Sequence, residues 1–334
     1  VRLIHHASLD YEQAIVNEIL SGAPGGTVCV LTATNDDALV ISALLNKSGR
    51  RARLIRSNDG FYLRDLAEFR FFLDTIRGYD AACLDNDTWT KSAEVVVEHF
   101  RGSECLEMFG NCLEAFNEEC PGRKYISDFE NFLLESRLED FSKSRSSEII
   151  VSTIHKSKGC EYDNVYISLK GLGDITDKER RMIYVGMTRA KNNLSVHYSN
   201  VNLFLDKSLQ GLIIEDNTVY GAPVEVLMQL SHRDVVLDIF KGCQDSLPGL
   251  LSGTGLFVSG DYLYAETGGR RVKVLRFSSA FRIQLSRMVS KGYLPVKAKV
   301  RFQVFWSYEE PTGETGSPTR SEIMIVLPDL LLAL

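Results

Sequence analysis

This 334-residue chain predicts an α/β fold, a parallel sheet with a helical insertion, followed by a small α+β domain. Three patterns carry that expectation. Over residues 1–58 short apolar runs alternate with amphipathic ones, residues 61–141 turn all-helical, and from Glu148 strands resume before a different, strand-rich pattern begins near Val224. Alternating strands and helices dictate a parallel sheet, because a parallel partner is reached only through a crossover, and the crossover helices then cover the sheet.

In chain order, Leu3-Ile4-His5 reads as a strand, Asp10 to Leu20 as a helix capped by Ser8 or Asp10, Val28 to Leu31 as a strand, Asp36 to Ser48 as a helix and Arg53 to Arg56 as a strand. The insertion reads as helices Phe61 to Arg77, Thr90 to Phe100, Cys105 to Glu119 and Ser127 to Glu139, with acidic and polar outer faces. The sheet resumes with Glu148 to Thr153, Asn164 to Leu169 and Asn193 to Tyr198. Between the last two, Met182, Val185 and Ala190 recur at roughly helical spacing, widened by Ile183 and Met187. A linker at Asn217 to Pro223 leads to strand Val224 to Leu230, helix Ser231 to Lys241 capped by Ser231, strands Gly255 to Ala265, Arg271 to Phe277, Val296 to Trp306 and Glu322 to Leu327, and a helix between Ser278 and Lys291. Residues 309–321, rich in Glu, Pro, Gly, Thr and Ser, read as a mobile hairpin loop.

Composition is that of a globular protein, 44% hydrophobic and 25% charged. No run approaches the length of a membrane span and no signal peptide opens the chain, so a cytoplasmic setting is the expectation. The seven cysteines form no C-x-x-C pair, which argues against a zinc site or a disulfide framework; no metal ligands are assigned. The pair His5-His6 reads as a surface accident.

The net charge of −6 hides a segregation. Between Thr267 and Tyr308 stand ten basic residues and no Asp or Glu, so the rest of the chain carries −16. Interleaved with them are Phe277, Phe281, Tyr293, Phe302, Phe305, Trp306 and Tyr308. Strands alternate core and solvent, so the aromatics fit a core and the charges a phosphate-neutralising patch; a basic patch led by Arg270, Arg271 and Lys273 is expected, a base-stacking platform is not.

The densest chemistry lies between residues 149 and 191. Ile149 to Thr153 is a β-branched strand ending in Ile154-His155-Lys156-Ser157-Lys158-Gly159-Cys160-Glu161-Tyr162, and strand ends in open α/β sheets are where ligands bind. The helix Glu179-Arg180-Arg181-Met182-Ile183-Tyr184-Val185-Gly186-Met187-Thr188-Arg189-Ala190-Lys191 would hold its arginines on a rigid element. One of Arg180 and Arg181 is expected to pair with Glu179 or a neighbour.

These two blocks resemble motifs V and VI of UvrD/Rep-type superfamily 1 DNA helicases, T-x-H-x-x-K-G-x-E-[FY] and Y-V-[GA]-x-T-R-A, and Val28 to Ala38 and Phe61 to Ile76 are similar to further segments of that family. The resemblance covers roughly residues 1–205, weakly over 80–147. It implies that residues 1–60 and 142–210 are the second RecA-like domain of a helicase, 61–141 a short inserted helical subdomain and 223–334 a C-terminal α+β domain of no recognised family, with nucleic-acid binding expected of its basic stretch. Arg189 would be the catalytic arginine finger on the γ-phosphate, Glu161 would contact the ribose, and Gly159 would permit the turn that brings it there; Thr34, Asn35, Thr153, His155 and Lys158 would contact single-stranded DNA. A plain helix cap explains Thr34 or Asn35 equally well.

The family's phosphate-cradling G-x-x-x-x-G-K-[ST] loop is not in this sequence, since Gly22-Ala23-Pro24-Gly25-Gly26-Thr27 lacks the Lys and precedes a strand. ATP and Mg²⁺ are therefore expected in a longer protein, this chain being its C-terminal piece, with an N-terminal RecA-like domain of the same protein and single-stranded DNA or DNA junctions as partners and no membrane. The segment Ser168 to Asp174 is shorter than the family's loop between the motifs. Alternatives are a non-catalytic nucleic-acid-binding or scaffold protein on half a helicase fold, or a helicase-nuclease subunit, though residues 224–334 show no convincing nuclease carboxylate set.

Overall fold

Residues 1–55, 61–136, 138–141, 149–170, 172, 176–200, 213–310 and 319–334 are described in the computed structural model of the chain. In chain order the strands and helices are β1 (Arg2–His6), α1 (Glu12–Gly22), β2 (Val28–Thr32), α2 (Asn35–Lys47), β3 (Ala52–Leu54), α3 (Ala67–Arg77), β4 (Cys83–Leu84), α4 (Asn86–His99), α5 (Leu106–Glu119), β5 (Lys124–Tyr125) and α6 (Ile126–Glu135). They continue as β6 (Ile149–Thr153), β7 (Tyr162–Ser168), α7 (Asp177–Met187), β8 (Ala190–Tyr198), β9 (Ile213–Asp216), β10 (Glu225–Gln229), β11 (Gly255–Ser259), β12 (Tyr262–Thr267), β13 (Arg270–Arg276), α8 (Ser279–Ser290), β14 (Leu294–Glu310) and β15 (Thr319–Ala333).

The chain divides into two compact units. The first, Val1–Ser57 with Ser144–Leu227, holds a seven-stranded sheet in the order β3-β6-β2-β7-β8-β1-β9, every pair parallel. The alternation of side chains along β2 explains its two covers. Val28 and Val30 pack with Ile15 and Ile19 of α1 and Ile41, Leu44 and Leu45 of α2 on one face, whereas Cys29 and Leu31 pack with Ile154 and with Ile183 of α7 on the other. A strand buried on both faces has no polar side to alternate, hence the continuous Val-Cys-Val-Leu run. This is the parallel core that the alternation predicts, RecA-like as the resemblance implies.

The second unit, Asn58–Lys143 with Met228–Leu334, joins the helical segment to a six-stranded sheet in the order β10-β15-β14-β11-β12-β13, whose pairs among β11 to β15 are antiparallel. The helices bury Phe72, Trp89, Phe109, Phe116 and Phe129 edge to face. The expectation of two separate domains over 61–141 and 223–334 differs from this grouping, because specific bonds tie the segments. Leu66 pairs with Val304 as an isolated antiparallel bridge, Glu104 N–H donates to Ser252 O at 3.1 Å, and Lys299 Nζ meets Glu104 Oε2 at 2.5 Å.

Three elements differ from their predicted form. Residues 231–241 are not one helix: Ser231 closes a capping box with Asp234, and the β-branched Val235-Val236 pair leaves for the sheet, Val235 bridging Phe277 and Val236 N–H donating to Arg276 O at 2.9 Å. Short 3-10 turns at His232–Asp234 and Leu237–Gly242 remain. Gly255 to Ala265 is a hairpin, because Gly260, at φ +56°, turns the chain between β11 and β12. The helix from Phe61 breaks at Leu66, whose backbone the bridge to Val304 claims. Neither Ser8 nor Asp10 caps α1, whose N-cap is Tyr11 with no side-chain bond, and α4 starts at Asn86 because Asp85 caps it, accepting from Thr88 N. Arg56, Glu148, Gly171, 173–175, 201–212 and the centre of the predicted hairpin loop, 311–318, lie outside the described residues.

Candidate functional site

The residues expected at the nucleotide and those expected at DNA fall on two opposite edges of the parallel sheet. At the edge where strands begin, Glu161 precedes β7 and Arg189 precedes β8, with Tyr162 registered against Ala190 and Tyr162 N–H donating to Arg189 O at 2.9 Å. The Arg189 guanidinium is held by neutral oxygens. Nε donates to Val185 O at 2.9 Å, Nη1 to Cys160 O at 3.1 Å and Nη2 to Thr188 Oγ1 at 3.0 Å. Among the described residues no carboxylate comes within ion-pair distance of it. Glu161 is exposed, 3.9 Å from Lys191 Nζ, and Gly159, at φ +84°, makes the turn before it in a region open only to glycine at low cost.

At the edge where strands end, Thr32, Thr153 and Ser168 stand in register across β2, β6 and β7. Thr34 caps α2, its hydroxyl accepting from Asp37 N–H at 3.1 Å, and Asn35 Oδ1 accepts from Lys156 Nζ at 3.1 Å. That last bond ties the loop after β2 to the turn after β6. Thr34, Asn35, His155 and Lys158 are exposed, whereas Thr153 is buried at 7% exposure.

The segment from Ile154 to Glu161 links the two edges. It opens with a 3-10 turn, Ile154–Ser157, closed by the Ser157 hydroxyl donating to Ile154 O at 2.8 Å. From the level of Thr153 to that of Tyr162 is six residues of β7, roughly 20 Å along the strands, a distance within reach of the eight linking residues even with their opening turn. Over this link lies α7, and the approach is close because residue 186 is glycine: a Cβ there would stand 3.2 Å from Ile167 Cδ1 and 3.4 Å from Ile154 Cγ1. The start of α7 is fixed by a reciprocal capping box in which Thr176 N–H donates to Glu179 Oε2 at 2.7 Å. Glu179 is thereby committed to its cap, and among the described residues neither Arg180 nor Arg181, both exposed, has a carboxylate of Glu179 or of a neighbour within ion-pair distance.

The glycine-rich run before β2 is latched to the start of β7. Thr27 N–H and Oγ1–H both donate to Asp163 Oδ2 at 2.8 Å, holding that carboxyl below its usual range, and a Cβ on Gly26 would stand 2.5 Å from the same oxygen. This is a turn entering a strand, not a helix opening.

In the second unit, Arg270, Arg271 and Lys273 are exposed on β13, just past the Gly268-Gly269 turn. They lie in a different unit from the residues above. The aromatics of the same stretch are core or half-buried, with Phe277, Phe281 and Tyr293 below 5% exposure.

Several members were not legible from spacing alone. Lys156 sits two residues before the motif lysine Lys158, Lys191 reaches back to Glu161, and Lys170, just after β7, bonds Asp10 Oδ1 at 2.8 Å and the buried Glu12 at 2.6 Å. The His5-His6 pair is no surface accident: His6 is 1% exposed, its Nε2 lies 3.0 Å from His197 Nδ1, and His5 bonds Glu215 at 2.6 Å. No three His, Cys, Asp or Glu side chains converge as a metal site among the described residues, where all seven cysteines are free thiols.

Residues 86–201 match the UvrD-like helicase C-terminal domain family. That span covers the helical segment from α4 onward, where the motifs alone indicated little similarity, and both motif blocks; the similar segments at Val28 to Ala38 and Phe61 to Ile76 fall outside it. The chain is 27% identical over 113 residues to the ATP-dependent DNA helicase Rep of Buchnera aphidicola subsp. Schizaphis graminum (strain Sg), an alignment that covers 31% of this chain and 16% of that protein. No helix among the described residues is long and apolar enough to cross a membrane. Residues 86–201 are thus similar to the UvrD-like helicase C-terminal domain, and part of the chain is similar to a Rep-like superfamily 1 DNA helicase.

Proposed function

We propose that the chain is the C-terminal part of an ATP-dependent DNA helicase or translocase, whose phosphate-cradling loop and magnesium-binding acids belong to an N-terminal RecA-like domain of the same protein. The observation that carries this reading is the setting of Arg189. Three bonds to neutral oxygens fix its guanidinium without cancelling its charge. A cation pre-positioned in that way, at no cost of reorganisation, is suited to charge developing on a transferred phosphoryl group. ATP with Mg²⁺ would supply that phosphoryl group when bound. Glu161, exposed beside Arg189's strand, offers an acceptor for a ribose hydroxyl, and Gly159 shapes the turn.

On the opposite edge, Thr34, Asn35, His155 and Lys158 offer exposed donors to the phosphates of single-stranded DNA, with the buried Thr153 behind them. The link from Ile154 to Glu161 spans both edges, so a shift at Arg189 and Cys160 is passed along one short, glycine-hinged segment to His155.

The test is the ATPase of the protein encoded with its upstream reading frame. Arg189→Ala is expected to lower DNA-stimulated kcat by about 10³-fold or more, with single-strand binding retained. Unchanged turnover would sink the reading. The isolated chain is expected to hydrolyse no ATP. An upstream frame without a G-x-x-x-x-G-K-[ST] segment would favour instead a non-catalytic nucleic-acid-binding protein on half a helicase fold.

A further inference from the structure

We infer that the solvent face of the β11-β12-β13 meander is a binding surface for a single-stranded polynucleotide, in which Phe257, Tyr262 and Tyr264 stack bases while Arg271, Lys273 and Arg276 neutralise phosphates. The inference is independent of the motor chemistry of the first unit.

Register places these residues together. Phe257, Tyr264 and Lys273 form one row across the three strands, and Ser259, Tyr262 and Arg276 the next. Their alternating neighbours Leu256, Leu263, Ala265, Val274 and Leu275 are buried beneath. The aromatic rings are thus on the outer face of a sheet whose core is already filled, and Phe257 keeps 40% exposure. A solvated sheet face has no packing need for three large rings.

Two of the three rings, Phe257 and Tyr262, already face a cation. The Arg271 guanidinium carbon lies 4.5 Å from the Phe257 centroid, Lys273 Nζ 4.0 Å from that of Tyr262, and the Arg276 guanidinium carbon 5.7 Å from the same ring. A flat guanidinium over a ring extends the stacking surface and keeps its donors at the edge for phosphate oxygens. The charge on this face is uncancelled. Arg282 pairs with Asp261, Lys299 with Glu104 and Arg301 with Asp329, but among the described residues no carboxylate lies within ion-pair distance of Arg270, Arg271, Lys273 or Arg276. Glu266, opposite Arg271 in register, is the one acidic side chain of the meander strands themselves. An anionic chain that presents flat rings at short intervals meets both demands; an acidic peptide meets only the charge.

The test uses the full chain, with labelled oligo(dT), oligo(rU) and a duplex of equal length titrated at several salt concentrations. Both single strands are expected to bind better than duplex, and a preference between them identifies the natural strand as DNA or RNA. Replacing Arg271 and Lys273 by Ala should flatten the dependence of log affinity on log salt by about 1.4, from about 0.7 per phosphate. Phe257→Leu and Tyr262→Leu, which keep an apolar side chain, should weaken binding about 5- to 100-fold without changing that slope. Because Phe257 is the more exposed ring, its variant keeps the test valid should Tyr262→Leu fail to fold. Duplex bound as tightly as single strands, or affinity untouched by the aromatic variants, would overturn the inference. So would binding abolished by Lys158→Ala alone, an outcome that leaves the motor reading standing.

Discussion

Arg189 and His6 are basic side chains of the same unit in different surroundings. Arg189 is held by three neutral oxygens. His6 is enclosed, stacked on Tyr11 at 4.4 Å and facing His197 on one ring nitrogen and Asp216 Oδ2, 3.0 Å away, on the other. Burial, then the neighbouring His197, push its pKa down to about 4 against the pull of Asp216. The consequence for stability has a definite sign. As pH falls below about 6.5 the unfolded His6 takes a proton that the folded one refuses, so the unfolded state gains, and stability present above that pH is lost down to about pH 4, on the order of 3 kcal/mol in all. Glu18 and Asp216 act in a lower window: burial works against both, but bonds from His197 and Ser195 to the first, and from Thr218 and Tyr220 to the second, hold them below the usual carboxylate range. Their contribution is present above about pH 4 and goes as pH falls further. Urea unfolding of the wild type should therefore weaken between pH 6.5 and 4, and His6→Asn should flatten that slope whatever it does to stability at pH 7. An unaltered slope in the variant would assign the acid sensitivity elsewhere.

At the scale of elements, α7 depends on one missing methyl group. Gly186 lets the helix settle on Ile154 and Ile167, so that the arginine at its end, the link beneath it and the start of β8 share one packing. Gly186→Val would drive two further carbons into that contact; over-packing of this kind costs about 1–3 kcal/mol and would displace the Ile154 turn that leads to His155. Amide exchange should show faster opening of 154–161 and 177–190 in the variant, with β3 unaffected; equal protection in both would show that the contact has slack. The location of α7 and of the parallel strands was legible because period and β-branching are local signals, and Arg189 and Glu161 because their motifs are. What was not legible is what depends on partners distant in sequence. Val235 left its predicted helix for Phe277, Leu66 broke another for Val304, and Glu179 went to its own cap rather than to an arginine. The outer aromatics escaped for the same reason: Phe257, Tyr262 and Tyr264 lie upstream of the basic stretch and meet it only through strand pairing.

For the whole molecule, the larger lesson concerns where independent folding stops. The helical segment has an aromatic centre of its own, yet it is completed by residues about two hundred positions away or more. Phe61 meets Phe302 edge to face at 6.1 Å between centroids, Leu63 and Leu66 are buried, Arg70 bonds Glu322 at 3.1 Å, and the Cys105 thiol, pushed up to about 12 first of all by burial, donates to Arg301 O at 3.6 Å. Buried apolar side chains of this size contribute roughly 1.5–3 kcal/mol each, so losing three of these contacts equals a large part of the stability of any small domain. Glu68 sharpens the dependence. Its carboxyl is buried and raised by that burial, and one oxygen accepts from the Ser103 hydroxyl at 2.6 Å; loosening of the turn that carries Ser103, which Ser252 anchors through Glu104, would leave that group without its donor. Deleting residues 228–334 is accordingly expected to do more than remove a C-terminal region. In the truncated chain the amides of α3 to α6 should exchange at least tenfold faster while those of β2, β6, β7 and β8 keep their protection, since the parallel sheet draws its core from the first unit alone. Protection of α3 to α6 at the full-chain level would instead mean that the insertion folds by itself, and that the bonds to β14 are contacts between finished domains.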